Sequence, residues 1–221
     1  LFDKNCLSYW FPRLAQVYVG YPRTEIVPWP SVSEIREAAL RISATGPWFL
    51  RTGHISGKHQ WKDTCDLRDL SKLQQHIDQL AELSEMADLL GLPSDVWVVR
   101  ERLPVQPIAY LPLYGDMPLV KEMRAFIRGG KIQCLHPYWP ENAIAQGLPP
   151  DQRYKAPDLF QKLTPSISEA AMVQITLERV ARAFPEQHGW SVDLLGTRFG
   201  WYVTDMAVAD RSFHYLGCDK Q

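Results

Sequence analysis

The chain has 221 residues, 46% hydrophobic and 22% charged, with a formal net charge of −1. That length supports a substantial core in one domain or two closely packed lobes, and that composition excludes a long disordered tract. The near-neutral balance, without a dense Lys/Arg run, argues against a nucleic-acid or membrane-surface partner.

Residues 1–30 are rich in aromatics and proline and lead into a strand near Glu25-Ile26-Val27. Ser31-Val32-Ser33-Glu34 is a capping-box pattern. The helix it starts places Val32, Ile35, Ala39 and Ile42 on one face, and Gly46-Pro47 ends it. Trp48-Phe49-Leu50-Arg51-Thr52 then reads as an apolar strand carrying one cation. The polar Gly53-His54-Ile55-Ser56-Gly57-Lys58-His59 segment after it carries a second. A stiff strand and a mobile Gly-Ser loop can fix one positive group under a polyanion and fold another over it, which points to phosphate handling and to nucleotides in particular. It is not a Walker A loop: three residues separate Gly53 from Gly57 where that motif has four, and His59 stands in the place of its Ser or Thr. His54 and His59 are read as loop polarity.

Leu70, Leu73, Ile77, Leu80, Leu83, Ala87 and Leu90 recur at helical spacing, with Gly91 and Pro93 closing a core-packing helix. Strands follow over 96–103, 108–113, 117–120, 122–128 and 131–138, the last two joined by a Gly129-Gly130 hairpin turn. The Pro-rich stretch 139–165 reads as a long loop. Ser166-Ile167-Ser168-Glu169 is a second capping box and opens a helix to about Phe184. Two apolar strands come last, Trp190–Leu195 and Trp201–Met206, each interrupted by one carboxylate, Asp193 and Asp205. The turn Thr197-Arg198-Phe199-Gly200 lies between them, and Ser212-Phe213-His214-Tyr215 ends the readable pattern.

If the two acidic strands pair, Asp193 and Asp205 lie close together. Two carboxylates on rigid strands suit Mg²⁺ that substrate phosphates also hold. A lone strand carboxylate is costly to bury unless it is paired or metal-bound, and the mid-strand Arg51 equally needs an anion. Cys6, Cys65, Cys134 and Cys218 are far apart and form no CxxC pair, so they are read as reduced thiols, without zinc spacing. His136 and His214 are read as structural. The eight Trp are read as core fillers and the 17 Pro as rigid turns. No apolar run approaches the about 20 residues of a membrane span and no signal-type pattern opens the sequence, so a cytoplasmic protein is expected. Helices and strands mix without strict βαβ alternation, which makes the class α+β.

A cationic strand with its Ser56-Gly57-Lys58 loop, the apolar strand Val96–Leu103, Glu122-Met123-Arg124-Ala125-Phe126 and the two acidic strands occur in this order from about Pro22 to His214. In that order they resemble the ATP-grasp superfamily. Within it, they resemble the branch of the eukaryotic cell-division-cycle chaperone that assembles a translation initiation factor, with its compact bacterial and phage relatives. The resemblance implies an ATP-grasp-like fold whose two α+β lobes hold nucleotide between antiparallel sheets. Residues 1–45 would be an N-terminal segment, 46–103 a small ATP-covering lobe and 104–221 a metal-binding lobe of a single unit.

It also implies ATP and Mg²⁺ as cofactors. Arg51 is expected on the α- or β-phosphate, and Ser56 and Lys58 in the loop that closes over the triphosphate. The backbone of Glu101-Arg102-Leu103 is expected on the adenine edge, and Asp116 or Glu122 on the ribose. Similarity to a Glu-Phe-Arg-x-Phe signature puts Arg124 on the γ-phosphate, so Arg124 and Lys58 are the catalytic cations, with Asp193 and Asp205 on the metal. The implied activity joins an unidentified carboxylate to an amine, a peptide or protein among the options, through an acylphosphate. The alternative is a non-ligating ATP-binding assembly chaperone or protein-binding module. Ala207, where the family usually has Asn, favours that alternative: either Asp210 or Ser212 replaces the missing ligand, or one metal is lost. A covalent Lys-nucleotide chemistry on nucleic-acid ends is disfavoured by the neutral charge.

Overall fold

The computed structural model describes residues 3–88, 95–214 and 218. In chain order the elements are α1 (Leu7–Leu14), β1 (Thr24–Pro28), α2 (Val32–Ile42), β2 (Trp48–Thr52), β3 (Asp66–Leu67), α3 (Leu73–Asp88), β4 (Val96–Glu101), β5 (Ala109–Leu111), β6 (Met117–Leu119), β7 (Glu122–Arg128), β8 (Lys131–Pro137), α4 (Glu141–Gly147), α5 (Ala156–Lys162), α6 (Ile167–Ala183), β9 (Trp190–Thr197) and β10 (Gly200–Val208). They group into two compact units. One is Pro22–Leu103 with Pro112–Met117. The other is Leu1–Tyr21, Pro104–Leu111 and Pro118–Gln221. Residues 22–45 of the expected N-terminal segment thus pack in the first unit and 1–21 in the second. Among the described residues, no helix is long and apolar enough to cross a membrane.

The first unit is an antiparallel sheet in the order β1-β4-β2-β3. Strand alternation sends Trp48, Leu50, Leu67, Trp97 and Val99 to one face, where they pack with Ile35, Ala39 and Ile42 of α2 and Leu73 and Leu80 of α3. The Trp48 indole donates to the Ala39 carbonyl at 2.6 Å and ties sheet to helix. The capping box at Ser31 forms with both reciprocal bonds. The helix expected from Leu70 begins with a 3₁₀ turn over Leu70–Lys72, and its face also carries the buried polar residues His76 and Ser84. Leu90, Gly91 and Pro93, named above as its closing signals, lie outside the described residues, as do the Ala87 side chain and Tyr215.

The second unit is an antiparallel sheet in the order β10-β9-β7-β8. Trp190, Val192 and Leu194 of β9 are fully buried on the face that α6 covers, with Phe184 edge-on to Trp190 at 5.5 Å. Gly129 and Gly130 make the β7–β8 turn with φ of 56° and 75°, a conformation that favours glycine. The second capping box closes α6, with the Ser166 N–H donating to Glu169 at 2.7 Å and the Glu169 N–H to the Ser166 hydroxyl at 3.3 Å. Ser166→Ala is expected to lower stability by about 1 kcal/mol, read as a lower urea midpoint at unchanged slope. An unchanged midpoint would mean that the cap does not hold the helix start.

Two regions differ from the sequence reading. Residues 139–165 are not a loop but α4, a 3₁₀ turn over Pro150–Lys155, and α5. Their prolines sit at helix starts (Pro140 at the N-cap of α4, Pro157 in the first turn of α5), where a missing N–H costs nothing. Ile144, Leu148, Ala156, Leu159 and Leu163 bury the inner sides. The N-terminal stretch contains α1, whose Leu7, Trp10, Phe11 and Leu14 form a buried i, i+3, i+4, i+7 stripe despite Pro12 inside the helix.

Candidate functional site

In the second unit, Asp193 and Asp205 face each other as register partners across β9 and β10. This depends on a β-bulge. From the turn to Val203↔Leu194 the pairing is regular, and continued regularly it would set Thr204 opposite Asp193 and turn Asp205 to the other face. The register shifts between Val203 and Asp205, and that one extra residue brings Asp205 round to Asp193. On the other side of β9, Arg124 of β7 is the partner of Asp193. Its Nε and Nη2 donate to the two carboxylate oxygens at 2.7 and 2.8 Å, a bidentate pair with side chains only 15% and 6% exposed. The guanidinium also lies over the Tyr138 ring, 4.5 Å from its centroid, and its Nη1 donates to the Phe213 carbonyl at 3.4 Å. Glu122, two residues before Arg124 on the same strand, is buried and accepts from the Trp139 indole at 3.0 Å.

The electrostatics are set first by burial, then by the Arg124–Asp193 pair, and least by the neighbouring like charges. Burial pushes the Asp193 carboxyl above the ordinary carboxylate range. Arg124 opposes that shift, and Asp205 and Glu122 reinforce it. Burial also works against the charge on Arg124, but Asp193, Tyr138 and Asp205 outweigh it and hold the guanidinium firmly protonated. Among the described residues, Asp193, Asp205 and Glu122 thus lie near the Arg124 guanidinium. The donors that these carboxylates offer are all oxygens. That donor set fits a hard divalent ion such as Mg²⁺, with Asp193 and Asp205 as the residues to hold it.

Ala207 pairs with Ser191, the neighbour of Asp193 on the same face. Ser191 donates to the Ala207 carbonyl at 3.3 Å and shares a 2.5 Å hydrogen bond with Ser212. The Ser212 hydroxyl is thus held by Ser191, and Asp210 lies exposed in the 3₁₀ turn Ala209–Arg211.

In the first unit, Arg51 is 3% exposed and pairs with Val98 of β4, on the sheet face opposite to that packed by α2 and α3. Its Nε donates to the Thr52 carbonyl at 3.0 Å. The same face carries a second buried cation, Arg100, which the sequence reading did not single out. Its signal was that of Arg51, a lone cation in an apolar strand. The segment after β2 is tied down more than a mobile loop. The Thr52 hydroxyl accepts from the Ile55 N–H at 3.0 Å, and the Thr64 hydroxyl bonds to the Gly57 and Gln60 carbonyls at 2.8 Å each. Gly57 has φ 62°, and a side chain there would meet Thr64 at 2.9 Å. Ser56 and Lys58 are half-buried, and Lys58 opens a 3₁₀ turn instead of extending into solvent. His59 packs edge-on to Tyr114, and burial, then Lys58, lowers its pKa. Burial pushes the Cys65 thiol up to about 12, which makes it inert.

Glu101 accepts from the N–H and Nε of Arg23 at 3.0 and 3.1 Å, and Arg102 pairs with the buried Asp66 at 2.8 Å. Leu103 is half-buried beside them. Asp116 pairs with Lys62. A separate cleft of about 540 Å³ in the second unit, lined by Lys121, Glu169, Met172, Arg198 and Phe199 among others, contains none of these residues.

The fold is that of the ATP-grasp proteins, mixed helices with antiparallel sheets. A C-terminally truncated Cdc123 from Schizosaccharomyces pombe aligns with a TM-score of 0.53 and 14% identity, over 94% of this chain and 86% of that one. A D-alanine–D-alanine ligase from Bacillus anthracis aligns at 0.51 and 9% identity, over 93% and 56%. An N5-carboxyaminoimidazole synthetase from Staphylococcus aureus aligns at 0.51 and 12%, over 93% and 44%. The chain thus spans about half the length of the ligase and the synthetase. No family model matches the sequence, and no curated protein is similar to it in sequence.

Proposed function

We propose that this chain binds ATP with Mg²⁺ and activates a carboxylate as an acylphosphate, which an amine then attacks to give an amide-type bond, ADP and phosphate. The observation that carries this reading is the bulge-aligned Asp193–Asp205 pair beside Arg124 and Glu122 in an ATP-grasp fold. In this reading Asp193 and Asp205 hold the metal, which when bound neutralises phosphate charge. Arg51, Ser56 and Lys58 bind phosphate oxygens, and the backbone of Glu101, Arg102 and Leu103 meets the adenine. Glu122 or Asp116 is the ribose ligand; Glu122 already accepts from the Trp139 indole and Asp116 pairs with Lys62. Arg124 stabilises charge on the transferred phosphoryl group. Its Nη1 already donates to a carbonyl, an acceptor that a phosphoryl oxygen would replace. We also propose that the 104–221 region works as the metal-binding lobe and 46–103 as the ATP-covering one.

Ala207 favours a second reading, an ATP-binding assembly factor that ligates nothing. The position offers a methyl group where a third oxygen ligand is expected, and its neighbour Ser212 is bonded to Ser191. The two readings separate in one assay. The ligase reading expects ADP release from Mg-ATP to rise when pools of carboxylates and amines, peptides included, are added. Nucleotide binding with no turnover across those pools would overturn it in favour of the second.

A further inference from the structure

We propose that Cys134, His214 and Cys218 form a binding site for a soft divalent ion, with Zn²⁺ as the ion it suits. The sequence offers only the short His214-x₃-Cys218 spacing, and Cys134 lies 80 residues before His214, outside any local zinc pattern. The fold nevertheless brings one ligand atom of each residue within 4.8 Å of the others, and all three are half-buried. The Cys134 Sγ and His214 Nε2 are already 3.1 Å apart. Tetrahedral zinc, with Zn–S of about 2.3 Å and Zn–N of about 2.0–2.1 Å, places its ligand atoms roughly 3.5–3.8 Å from one another. Small side-chain rotations bridge that difference.

The imidazole is also oriented in advance. His214 stacks on Phe126 at 4.1 Å and 24°, and lies 5.4 Å from the His136 ring at 28°. Cys134 stands opposite Phe126 in the β7–β8 register, so stacking holds the ring beside its sulfur. Two thiolates and a neutral imidazole would balance the charge of Zn²⁺ and select against a hard ion, in contrast to the all-oxygen set at Asp193 and Asp205. Three protein ligands leave a fourth position for water or an incoming donor. An ion here would tie His214 and Cys218 to Cys134 of β8, next in sequence to the Phe213 carbonyl that accepts from Arg124.

The test uses the full chain, stripped with a chelator, kept reduced with a phosphine and held in excess Mg²⁺ to occupy oxygen sites. Zn²⁺ should bind at one equivalent. Co²⁺ should give thiolate-to-metal charge-transfer absorption with the strong visible bands of tetrahedral coordination. Cys134→Ser, His214→Ala and Cys218→Ser should each weaken Zn²⁺ by more than about tenfold with unchanged circular dichroism, while Cys6→Ala should not. Absence of stoichiometric zinc, a Co²⁺ spectrum without thiolate bands, or equal loss in Cys6→Ala would overturn the assignment. So would a Cys134–Cys218 disulfide whose reduced form takes up no zinc.

Discussion

Arg124→Met should destabilise the second unit by about 3–5 kcal/mol, the cost of leaving one member of a buried ion pair uncompensated. The expectation rests on geometry: both Asp193 oxygens take their charged donors from this one guanidinium, and the pair is almost wholly out of solvent. With Arg124 gone, Asp193 would face Asp205 and Glu122 without its cation, and both already push its pKa upward. The pH dependence follows from that direction. A carboxyl whose folded pKa is raised favours the fold below its unfolded pKa and loses that advantage as pH rises through the folded value. The Arg124→Met deficit should therefore shrink as the solution is made acidic and Asp193 becomes neutral. Adding Asp193→Leu should recover much of the loss, because a neutral apolar pair carries no buried charge. Urea titration of the two variants across pH measures this. A deficit below 1 kcal/mol at neutral pH, or a double variant no better than the single one, would show that the pair is not what holds these strands together.

How far the site could be read from sequence depended on which physical signal carried it. Asp193 and Asp205 were legible because a carboxylate inside an apolar strand needs a partner, whatever the fold. Their alignment was not. It rests on the one-residue bulge at Thr204, which reverses the facing of Asp205 and leaves no mark in composition or alternation. Arg51 was legible as a lone strand cation, whereas the equivalent Arg100 was hidden by the Glu101-Arg102 pair that follows it. The stripe Leu7, Trp10, Phe11, Leu14 was present in the sequence, but Pro12 masked it. In 139–165, prolines that start helices looked like turns. The grouping of Cys134 with His214 comes from His214 stacking on Phe126 of β7 beside Cys134 of β8, a long-range contact that local spacing does not encode.

Asp205→Asn separates binding chemistry from stability. Asp205 is half-exposed, and its Oδ1 accepts from the Met206 N–H at 3.0 Å, a bond that an Asn side-chain oxygen can keep. The change also removes one of the charges pressing on Asp193. It removes an attraction to Arg124 as well, so the variant should keep the fold of the parent while losing a hard-ion ligand. In the proposed reading that loss weakens Mg²⁺-dependent ATP binding by about 100-fold, equivalent to about 2.8 kcal/mol. The decisive measurement is a calorimetric titration of ATP into parent and Asp205→Asn, each with Mg²⁺ and with a chelator. The parent should bind far more tightly with Mg²⁺, and the variant should bind weakly and alike in both conditions. Equal, Mg²⁺-independent affinity in the two proteins, or no ATP binding by the parent, would contradict the assignment of these strands to a metal-nucleotide site.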